Sequence, residues 1–281
     1  MKLIASARSF LFVPANRPER YAKALASGAG AVIIDLEDAV APAAKMAART
    51  NLADGFGRLL ATDRTRVLVR INAAGTPWHA DDIALVTLLS ELDLGGVLLS
   101  KAEAAADLVQ LVASVGPDCD VLPMIESAAG LAALDALTAC AGVTRLVFGN
   151  LDFQADLGMA CGPDEVELQP VRLAMVLASR RAGLSAPVDG VTPSTSDAVQ
   201  LQLDAARSRR SGFGAKLCIH PAQIATVHAA LGPTASELDW ARRVVAGSAK
   251  AGGAVFTLDG RMVDAPVIRL AEQVLAGQAA T

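Results

Sequence analysis

The sequence lacks the signs of secretion, disulfide bonding and zinc binding. Its 281 residues include only four cysteines, which lie far apart and without the close pairing of a zinc site or a disulfide scaffold. They are Cys119, Cys140, Cys161 and Cys218. At the N-terminus, Arg8 interrupts the apolar run before it is long enough for a signal peptide. We therefore expect ordinary thiols in a reducing compartment, and a cytoplasmic protein.

Long basic runs and long apolar runs are also missing. The formal net charge is -4, and the densest basic group is Arg207, Arg209 and Arg210, which argues against nucleic acid as the main partner. The longest uncharged stretch, residues 217–236, contains two histidines and two prolines, so it is a poor membrane span. No internal repeat or low-complexity linker divides the chain. We expect a soluble protein with no nucleic-acid or membrane partner.

The sequence does contain a regular alternation of apolar runs and helical segments. Hydrophobic residues make up 53% of the chain, enough for a sizeable core. The runs are continuous, which indicates strands buried on both faces, as in parallel sheets. Eight of them alternate with helical segments, at residues 9–14, 31–35, 66–71, 96–101, 120–125, 145–149, 186–191 and 215–221. This count predicts an α/β fold, a (β/α)8 TIM barrel, which typically takes ~250 residues.

The chain continues beyond the eighth strand and helix. Residues 236–251 have a helical pattern, and a strand, a turn and a second extended segment follow before a last helix that ends near residue 275. We predict a barrel catalytic domain at residues 1–232 and a C-terminal helical lid or oligomerisation segment at 233–281. An appendage on a closed barrel must cover its own mouth or a neighbouring subunit.

Two acidic residues stand where consecutive predicted strands end. Glu126 follows the run VLPMI, and Asp152 follows RLVFGNL. Parallel strands joined by a crossover helix place their carboxyl ends on the same side, so both side chains should project into the same space. Two hard oxygen ligands with room for water and substrate suit Mg2+ or Mn2+. Each residue alone is also consistent with a helix cap or a salt bridge.

The other strand exits carry polar or charged groups as well, and such exits converge on one mouth in TIM barrels. Arg70, Lys101 and Glu126 directly follow apolar strand residues, which places them near the interior of the mouth. Buried charges of opposite sign must pair or bind a ligand, because an isolated buried charge is too costly. The exits hold Asn16, Arg17, Asp35, Glu37, Asp38, Arg70, Asn72, Lys101, Glu126, Asp152, Asp189 and His220.

Several ordered motifs, spread over residues 9–275, resemble those of the citrate lyase beta-subunit family. They are FLFVPANRPER, IIDLEDAVAP, VRIN, MIESAAGL, FGNLDFQADLG, CIHPAQI and GRMVDAPVIRLA. The family also holds malyl-CoA and citramalyl-CoA lyases, within the metal-dependent HpcH/HpaI aldolase superfamily. The resemblance implies a Mg2+ cofactor, with Mn2+ as an alternative, and a coenzyme A thioester as substrate.

The resemblance also implies roles for individual residues. Glu126 and Asp152 match the family's two metal ligands. Arg70 matches the arginine that holds substrate oxygens beside the metal, where it stabilises developing charge. Asp264 matches the catalytic aspartate, which the C-terminal segment carries into the active site of the adjacent subunit. A shared site of this kind requires a homo-oligomer, and the family implies a trimer.

Further residues are implied to bind the substrate. Asn16, Arg17 and Arg20 fall in the segment that lines the coenzyme A entrance, where guanidinium groups can pair with phosphates. Glu37 belongs to the family's acidic loop over the metal, and it would pair with Lys101 or hold a metal-bound water.

Some of these positions also have ordinary structural interpretations. Arg20 is equally consistent with a solvent-exposed helix position, and Asp264 with a turn residue before Pro266. Asp156, the second aspartate of NLDFQADLG, fits an N-terminal helix charge better than a ligand. For His220, a structural hydrogen bond is favoured over catalysis.

The favoured activity is a stand-alone Mg2+-dependent lyase that cleaves citramalyl-CoA, malyl-CoA or a related 3-hydroxyacyl-CoA to acetyl-CoA and a 2-oxo acid. One alternative is the citryl-thioester lyase subunit of a citrate lyase complex, whose substrate is carried by an acyl carrier protein. Another is a malyl-CoA thioesterase. A non-catalytic barrel that acts as a scaffold or carrier-protein partner is a different class, and the combination of Arg70, Glu126, Asp152 and Asp264 argues against it.

Overall fold

The structure, a computed structural model, describes residues 3–278. Within that range the chain forms two compact units, which divide between His228 and Ala229. The sequence-based boundary lies between residues 232 and 233, whereas the division observed here falls inside the helix Ile224–Leu231.

Eight strands of the first unit close into a barrel in sequence order, and every neighbouring pair is parallel. The predicted (β/α)8 barrel is therefore confirmed. The strands are β1 (Ser9–Pro14), β2 (Ala31–Asp35), β3 (Val67–Ile71), β4 (Gly96–Leu99), β5 (Asp120–Ile125), β6 (Val147–Phe148), β7 (Val188–Asp189) and β8 (Ala215–Cys218).

Helices follow the strands and bury the outer face of the barrel. Those of the first unit are α1 (Leu3–Ser6), α2 (Tyr21–Leu25), α3 (Lys45–Gly57), α4 (Ala61–Arg64), α5 (His79–Ser90), α6 (Ala105–Val115), α7 (Ala128–Ala132), α8 (Leu134–Thr138), α9 (Asn150–Leu157), α10 (Gln169–Arg181) and α11 (Ala198–Arg210), and α12 (Ile224–Leu231) crosses the boundary between the units. Short 3-10 turns at Pro18–Arg20, Pro42–Ala44, Val166–Leu168 and Pro221–Gln223 precede α2, α3, α10 and α12.

The barrel interior is a packed apolar core. Alternate strand residues such as Phe10, Leu68 and Leu122 point inward and are fully buried, which follows from the two-residue period of a strand. Each such side chain contributes roughly 1.5–3 kcal/mol of burial free energy. At the amino end, Arg145 is buried and donates to the carbonyl oxygens of Ile4, Ala7 and Ala186, so it ties α1 to the barrel floor.

The barrel is least regular at β6 and β7. The apolar runs predict strands at 145–149 and 186–191, but each strand has only two residues, and a single pair, Val147 and Val188, joins them. Helix α9 begins directly after Gly149, so Asp152 lies in the first turn of a helix and not on the strand itself. The crossover between β5 and β6 consists of two short helices, α7 and α8.

The second unit has its own small core. Helix α13 (Ala235–Lys250) is capped by Thr234, whose side chain accepts from Glu237 N while the Glu237 carboxylate accepts from Thr234 N. An antiparallel hairpin of β9 (Phe256–Leu258) and β10 (Arg261–Val263) leads into α14 (Ala265–Gln278). Buried residues of these elements, including Ala241 and Ala271, pack together.

No helix among residues 3–278 has both the length and the apolar character to cross a bilayer.

Candidate active site

A buried ion pair lies at the carboxyl ends of β2 and β3. Arg70 donates from Nε and Nη2 to the two oxygens of Asp35, at 2.7 and 2.6 Å. Asp35 also accepts from the backbone N–H groups of Glu37 and Ala39. Burial alone would lower the pKa of Arg70, but Asp35 outweighs it and leaves that pKa above its ordinary value. The fork geometry therefore holds Arg70 charged and fixed in direction.

Glu37 connects this pair to Lys101. Its Oε1 accepts from Lys101 Nζ at 2.9 Å, which is the contact expected from the sequence. Its Oε2 lies 2.8 Å from Arg70 Nη1, although the N–H group is not aligned for a hydrogen bond. Burial favours a lower pKa for Lys101, yet the hydrogen bond and charge of Glu37 raise it above its ordinary value. Glu37 thus lies between two cations.

Glu126 is deeply buried in the mouth, at 1% exposure. Its Oε1 accepts from the backbone N–H of Lys101 at 2.5 Å, whereas its Oε2 is buried without any hydrogen-bond partner. Burial, and secondarily the charge of Glu37, raises the pKa of Glu126 to about 8. An oxygen of this kind is costly unless something else satisfies it.

Asp152 is more open than Glu126. Its side chain is 37% exposed and lies 3.9 Å from Lys101 Nζ. The charge of Asp152 contributes to the raised pKa of Glu126. Lys101 therefore borders both proposed metal ligands, one through its backbone N–H and the other through its ammonium group.

The donor set fits Mg2+. Oxygen-only sites in which one or two carboxylates share the metal with several waters are typical of this ion. Among residues 3–278, no group of three or more His, Cys, Asp and Glu side chains is arranged to hold a metal. When all are ionised, four carboxylates face two cations, an excess of two negative charges that one divalent cation neutralises. The members are Asp35, Glu37, Glu126 and Asp152 against Arg70 and Lys101.

Lys101 has an unusual backbone conformation. Its φ of 45° lies in the left-handed region, where a side chain with a Cβ is disfavoured. This conformation directs the Lys101 N–H to Glu126 and the ammonium to Glu37. Strain of this type is held by surrounding contacts and concentrates at functional sites. The position of Lys101 after an apolar run predicts a place in the interior of the mouth. Its side chain is instead half exposed and lies at the rim.

A buried polar network behind the carboxylates is not anticipated by the sequence motifs. Lys45 Nζ donates to the carbonyl oxygens of Leu36 and Glu37 and to Asn72 Oδ1, at 2.8, 2.9 and 2.7 Å. Asp82 accepts from both the backbone and the side-chain amide of Asn72. The network fixes the β2 exit loop that carries Glu37. Its sequence signals are Asn72, which ends the VRIN motif at the β3 exit, and a charged residue, Asp82, on the buried side of α5.

The residues implied for coenzyme A lie on the turn after β1. Asn16, Arg17 and Arg20 are all exposed. Arg17 Nε donates to Glu19 at 2.6 Å, and Arg20 Nε lies 4.0 Å from the same carboxylate. Surface pairs of this kind are weak, so both guanidinium groups can be redirected to an anionic ligand at little cost.

Three other residues have local roles. His220 is exposed, and its Nδ1 accepts from Ala222 N at 3.2 Å, which caps the turn before α12. Asp156 lies in the last turn of α9 and accepts from Ala128 N at 2.9 Å, so the N-terminal charge predicted for its own helix is wrong: it caps α7 instead. Asp264, in the second unit, is half buried and accepts from Val267 N in the first turn of α14.

Gly149 allows the close approach of the β6 exit to Glu126. A Cβ at this position would lie 2.5 Å from Glu126 Oε2 and 2.6 Å from Glu126 Cβ. Its φ of -93° is open to any residue, so the requirement for glycine is spatial and not conformational. Because Gly149 has no side chain, the unpartnered Oε2 of Glu126 has the space it occupies.

Gly149→Ala is therefore expected to displace the stem of Glu126. We expect a loss of about 1–3 kcal/mol in unfolding free energy, the usual cost of overpacking, together with weaker Mn2+ binding. Denaturant unfolding and Mn2+ titration measure the two effects. Gly57→Ala is the matched control, because its Cβ would meet nothing within 4 Å. Equal Mn2+ affinity in Gly149→Ala and wild type would contradict the spatial role.

Comparisons with known proteins agree on one family. The family model described as HpcH/HpaI aldolase/citrate lyase matches residues 8–221. A citrate lyase subunit beta-like protein of Mycobacterium tuberculosis is 38% identical over 99% of both chains. A (3S)-malyl-CoA thioesterase of Cereibacter sphaeroides is 33% identical over 96% of this chain and 93% of its own.

A solved structure extends the likeness to three dimensions. The crystal structure of the M. tuberculosis protein CitE in complex with magnesium, acetoacetate and coenzyme A superimposes with a TM-score of 0.84 at 35% identity. The match covers 98% of this chain and 99% of that one. The resemblance recognised from the motifs is confirmed.

Proposed function

This chain belongs to the HpcH/HpaI aldolase/citrate lyase family, and we propose that it is a Mg2+-dependent carbon–carbon lyase. The substrate is a 3-hydroxyacyl-CoA of the citramalyl-CoA, malyl-CoA or citryl-thioester type, and the products are acetyl-CoA and a 2-oxo acid. The observation that carries the proposal is the buried, unpartnered Oε2 of Glu126, with Asp152 on the same neighbouring residue, Lys101. The CitE structure with magnesium and coenzyme A supports the same cofactor and thioester class.

We assign Glu126 and Asp152 to hold the metal. When bound, Mg2+ lowers the pKa of a coordinated hydroxyl and stabilises negative charge on it. The hydroxyl proton passes to solvent water, and the alkoxide electron pair forms the carbonyl of the 2-oxo acid as the bond between the α and β carbons breaks. The electron pair of that bond forms the enolate of acetyl-CoA. Arg70, held rigid by Asp35, is assigned to stabilise the negative charge that develops beside the metal. Asp264 is assigned to deliver the proton that the enolate carbon takes up.

Substrate binding is assigned to groups around this centre. Lys101 borders both carboxylates and is half exposed, so its ammonium is open to a substrate carboxylate. Glu37 keeps Lys101 charged. Asn16, Arg17 and Arg20 present polar groups to solvent after β1 and are assigned to the coenzyme A phosphates.

A thioesterase is the second candidate, because relatives of similar identity carry the name (3S)-malyl-CoA thioesterase. In that activity the thioester bond is hydrolysed and the hydroxy acid is released whole. The same metal centre serves either reaction, since both develop negative charge on oxygens beside it. A third candidate is the lyase subunit of a citrate lyase complex. It would break the same carbon–carbon bond as the stand-alone lyase, but its thioester substrate would be attached to an acyl carrier protein instead of coenzyme A.

Product analysis distinguishes these activities. The purified protein is incubated with Mg2+ and a panel of 3-hydroxyacyl-CoAs, and 2-oxo acid and free thiol are measured separately. We expect 2-oxo acid without early thiol for the lyase, with none from Asp152→Asn. Early thiol with intact hydroxy acid would establish the thioesterase instead. No product across the panel would overturn a stand-alone enzyme, and activity only with a carrier-linked thioester would assign the complex subunit.

The proposed use of Asp264 requires a homo-oligomer, a trimer by family resemblance, with active sites shared between neighbours. Co-expression of Glu126→Gln and Asp264→Asn chains is expected to restore activity to about a quarter of the sites, those with an intact barrel and an intact neighbouring tail. Each variant expressed alone is the control, together with its oligomeric state by light scattering. No recovery in mixed oligomers would contradict the sharing of sites.

A further inference from the structure

The seam between β6 and β7 is closed by a side chain. Backbone pairing there is limited to Val147 and Val188. Beyond it, Asn150 Oδ1 accepts from Val191 N at 3.0 Å, and Asn150 Nδ2 donates to Val191 O at 3.2 Å. The amide group thus bonds both backbone polar groups of one residue, as an additional strand residue would. It replaces the ladder at the point where β6 ends.

The fit around this amide is tight. Asn150 is 2% exposed. On the facing loop, a Cβ at Gly190 would lie only 2.0 Å from Asn150 Oδ1. The amide therefore occupies the space that a side chain at position 190 would fill, and its direction is set by packing as well as by hydrogen bonds.

Glu165 fixes the remaining N–H of the amide. Asn150 Nδ2 donates to Glu165 Oε1 at 2.8 Å. The other oxygen of Glu165 pairs with Arg172, and with Arg207 at 2.9 Å. Arg172 in turn donates to the buried Asp189 at 3.0 Å. Glu165 adopts the left-handed conformation, with φ of 46°, so it is held there at a cost in backbone strain.

Asp152, in contrast, has little to orient it. It lies two residues after Asn150 in the first turn of α9. Within residues 3–278 its carboxylate accepts no hydrogen bond, and the contact with Lys101 spans 3.9 Å. The direction of the Asp152 side chain therefore depends on the position of the first turn of α9. The hydrogen bonds of Asn150 fix that position.

We propose that Asn150, braced by Glu165, is a positioning residue for the metal ligand Asp152. This inference rests on the proposed function and adds to it a residue that touches neither metal nor substrate. Groups that orient metal ligands from behind are typically worth 10–100-fold in metal affinity. The same bridge closes the barrel seam, so its loss also costs stability.

Mn2+ affinity tests the inference without reference to activity. The full chain is stripped with EDTA and titrated with Mn2+, and free Mn2+ is followed by electron paramagnetic resonance. Asn150→Ala is expected to weaken Mn2+ binding by about 10–100-fold, and Glu165→Gln by a smaller factor. Gln154→Ala is the matched control, because Gln154 Nε2 donates to the backbone oxygen of Asn150 and does not touch its amide; its affinity should equal that of wild type.

The Asp152→Asn background separates positioning from general damage. There, adding Asn150→Ala should leave the residual Mn2+ affinity unchanged, because the residue to be positioned is already lost. An equal further loss, or wild-type affinity in Asn150→Ala despite a lower melting temperature, overturns the inference. If Asn150→Ala does not fold, the same comparison of Mn2+ affinity, with and without Asp152→Asn, is made with Glu165→Gln. Wild-type protein that binds no Mn2+, or binds it equally well as Asp152→Asn, overturns the proposed metal centre itself and the inference with it.

Discussion

Glu126→Gln is expected to abolish catalysis and at the same time stabilise the metal-free protein at alkaline pH. The change removes a charged metal ligand but keeps the shape of the side chain and the acceptor for the Lys101 N–H group. Loss of several kcal/mol of charge stabilisation corresponds to at least about a thousandfold in kcat/KM. Mn2+ titration should show no binding at concentrations that saturate wild type.

The stability gain follows from the titration of Glu126. Burial raises its pKa from 4.5 to about 8 in the folded protein. The folded protein therefore binds a proton that the unfolded chain releases between pH 4.5 and 8, and metal-free stability falls as pH rises through that window. Glutamine does not titrate and escapes this loss. At about 1.4 kcal/mol per pKa unit, the variant should be more stable by a few kcal/mol above pH 8.

Denaturant unfolding with EDTA at acidic and alkaline pH measures the gain. Wild type and Glu126→Gln should be similar near pH 4.5 and diverge as pH rises, and added Mg2+ should restore the wild type alone. Glu91→Gln, at an exposed position, should change neither stability nor activity. A Glu126→Gln protein that is less stable than wild type at pH 8.5, or that keeps wild-type kcat/KM, would contradict the assignment.

Arg70→Ala should produce the largest loss of stability among the residues of the mouth. It leaves Asp35, which is 1% exposed, and Glu37 without their shared cation. Removing one partner of a buried ion pair typically costs 3–5 kcal/mol, because the other charge stays buried. Arg70→Lys restores the charge but not the two-point fork, so partial stability and weak activity are expected. Urea unfolding and kcat/KM measure the two effects.

A double variant separates the structural part of this effect from the catalytic part. Arg70→Met with Asp35→Asn removes both charges of the closest pair, and it should recover much of the stability lost in Arg70→Ala. Activity should not recover, because the guanidinium group assigned to the developing charge is absent. Arg58→Ala, at an exposed position, is the control. Recovery of activity in the double variant would show that Arg70 serves only to neutralise Asp35.

The barrel could be predicted almost completely because its signals are local. Each continuous apolar run is a strand buried on both faces, and strict alternation with helices permits little else. The errors fall at β6 and β7, where apolar residues flank strands of only two residues. There, pairing by Asn150 replaces strand pairing, and a side chain that imitates backbone has no signature in hydropathy.

The chemistry of the mouth was partly predictable for a related reason. Glu126 and Arg70 were found by their positions after apolar runs, since parallel strands deliver their exits to one face. Gly149, Asn150 and Lys45 were not, because their roles depend on contacts with residues far away in the chain, such as Glu126 and Val191.

The sequence by itself determined the fold, the family and the inventory of charges at the barrel mouth, because hydrophobic period, strand count and motif order are properties of short segments. Only the tertiary structure decided how those charges combine. Arg70 is committed to Asp35 and Glu37, and Lys101 to Glu37, which leaves Glu126 with one oxygen unsatisfied. That outcome depends on separations of a few ångströms between strand exits, and barrel closure and register, not spacing along the chain, set those distances.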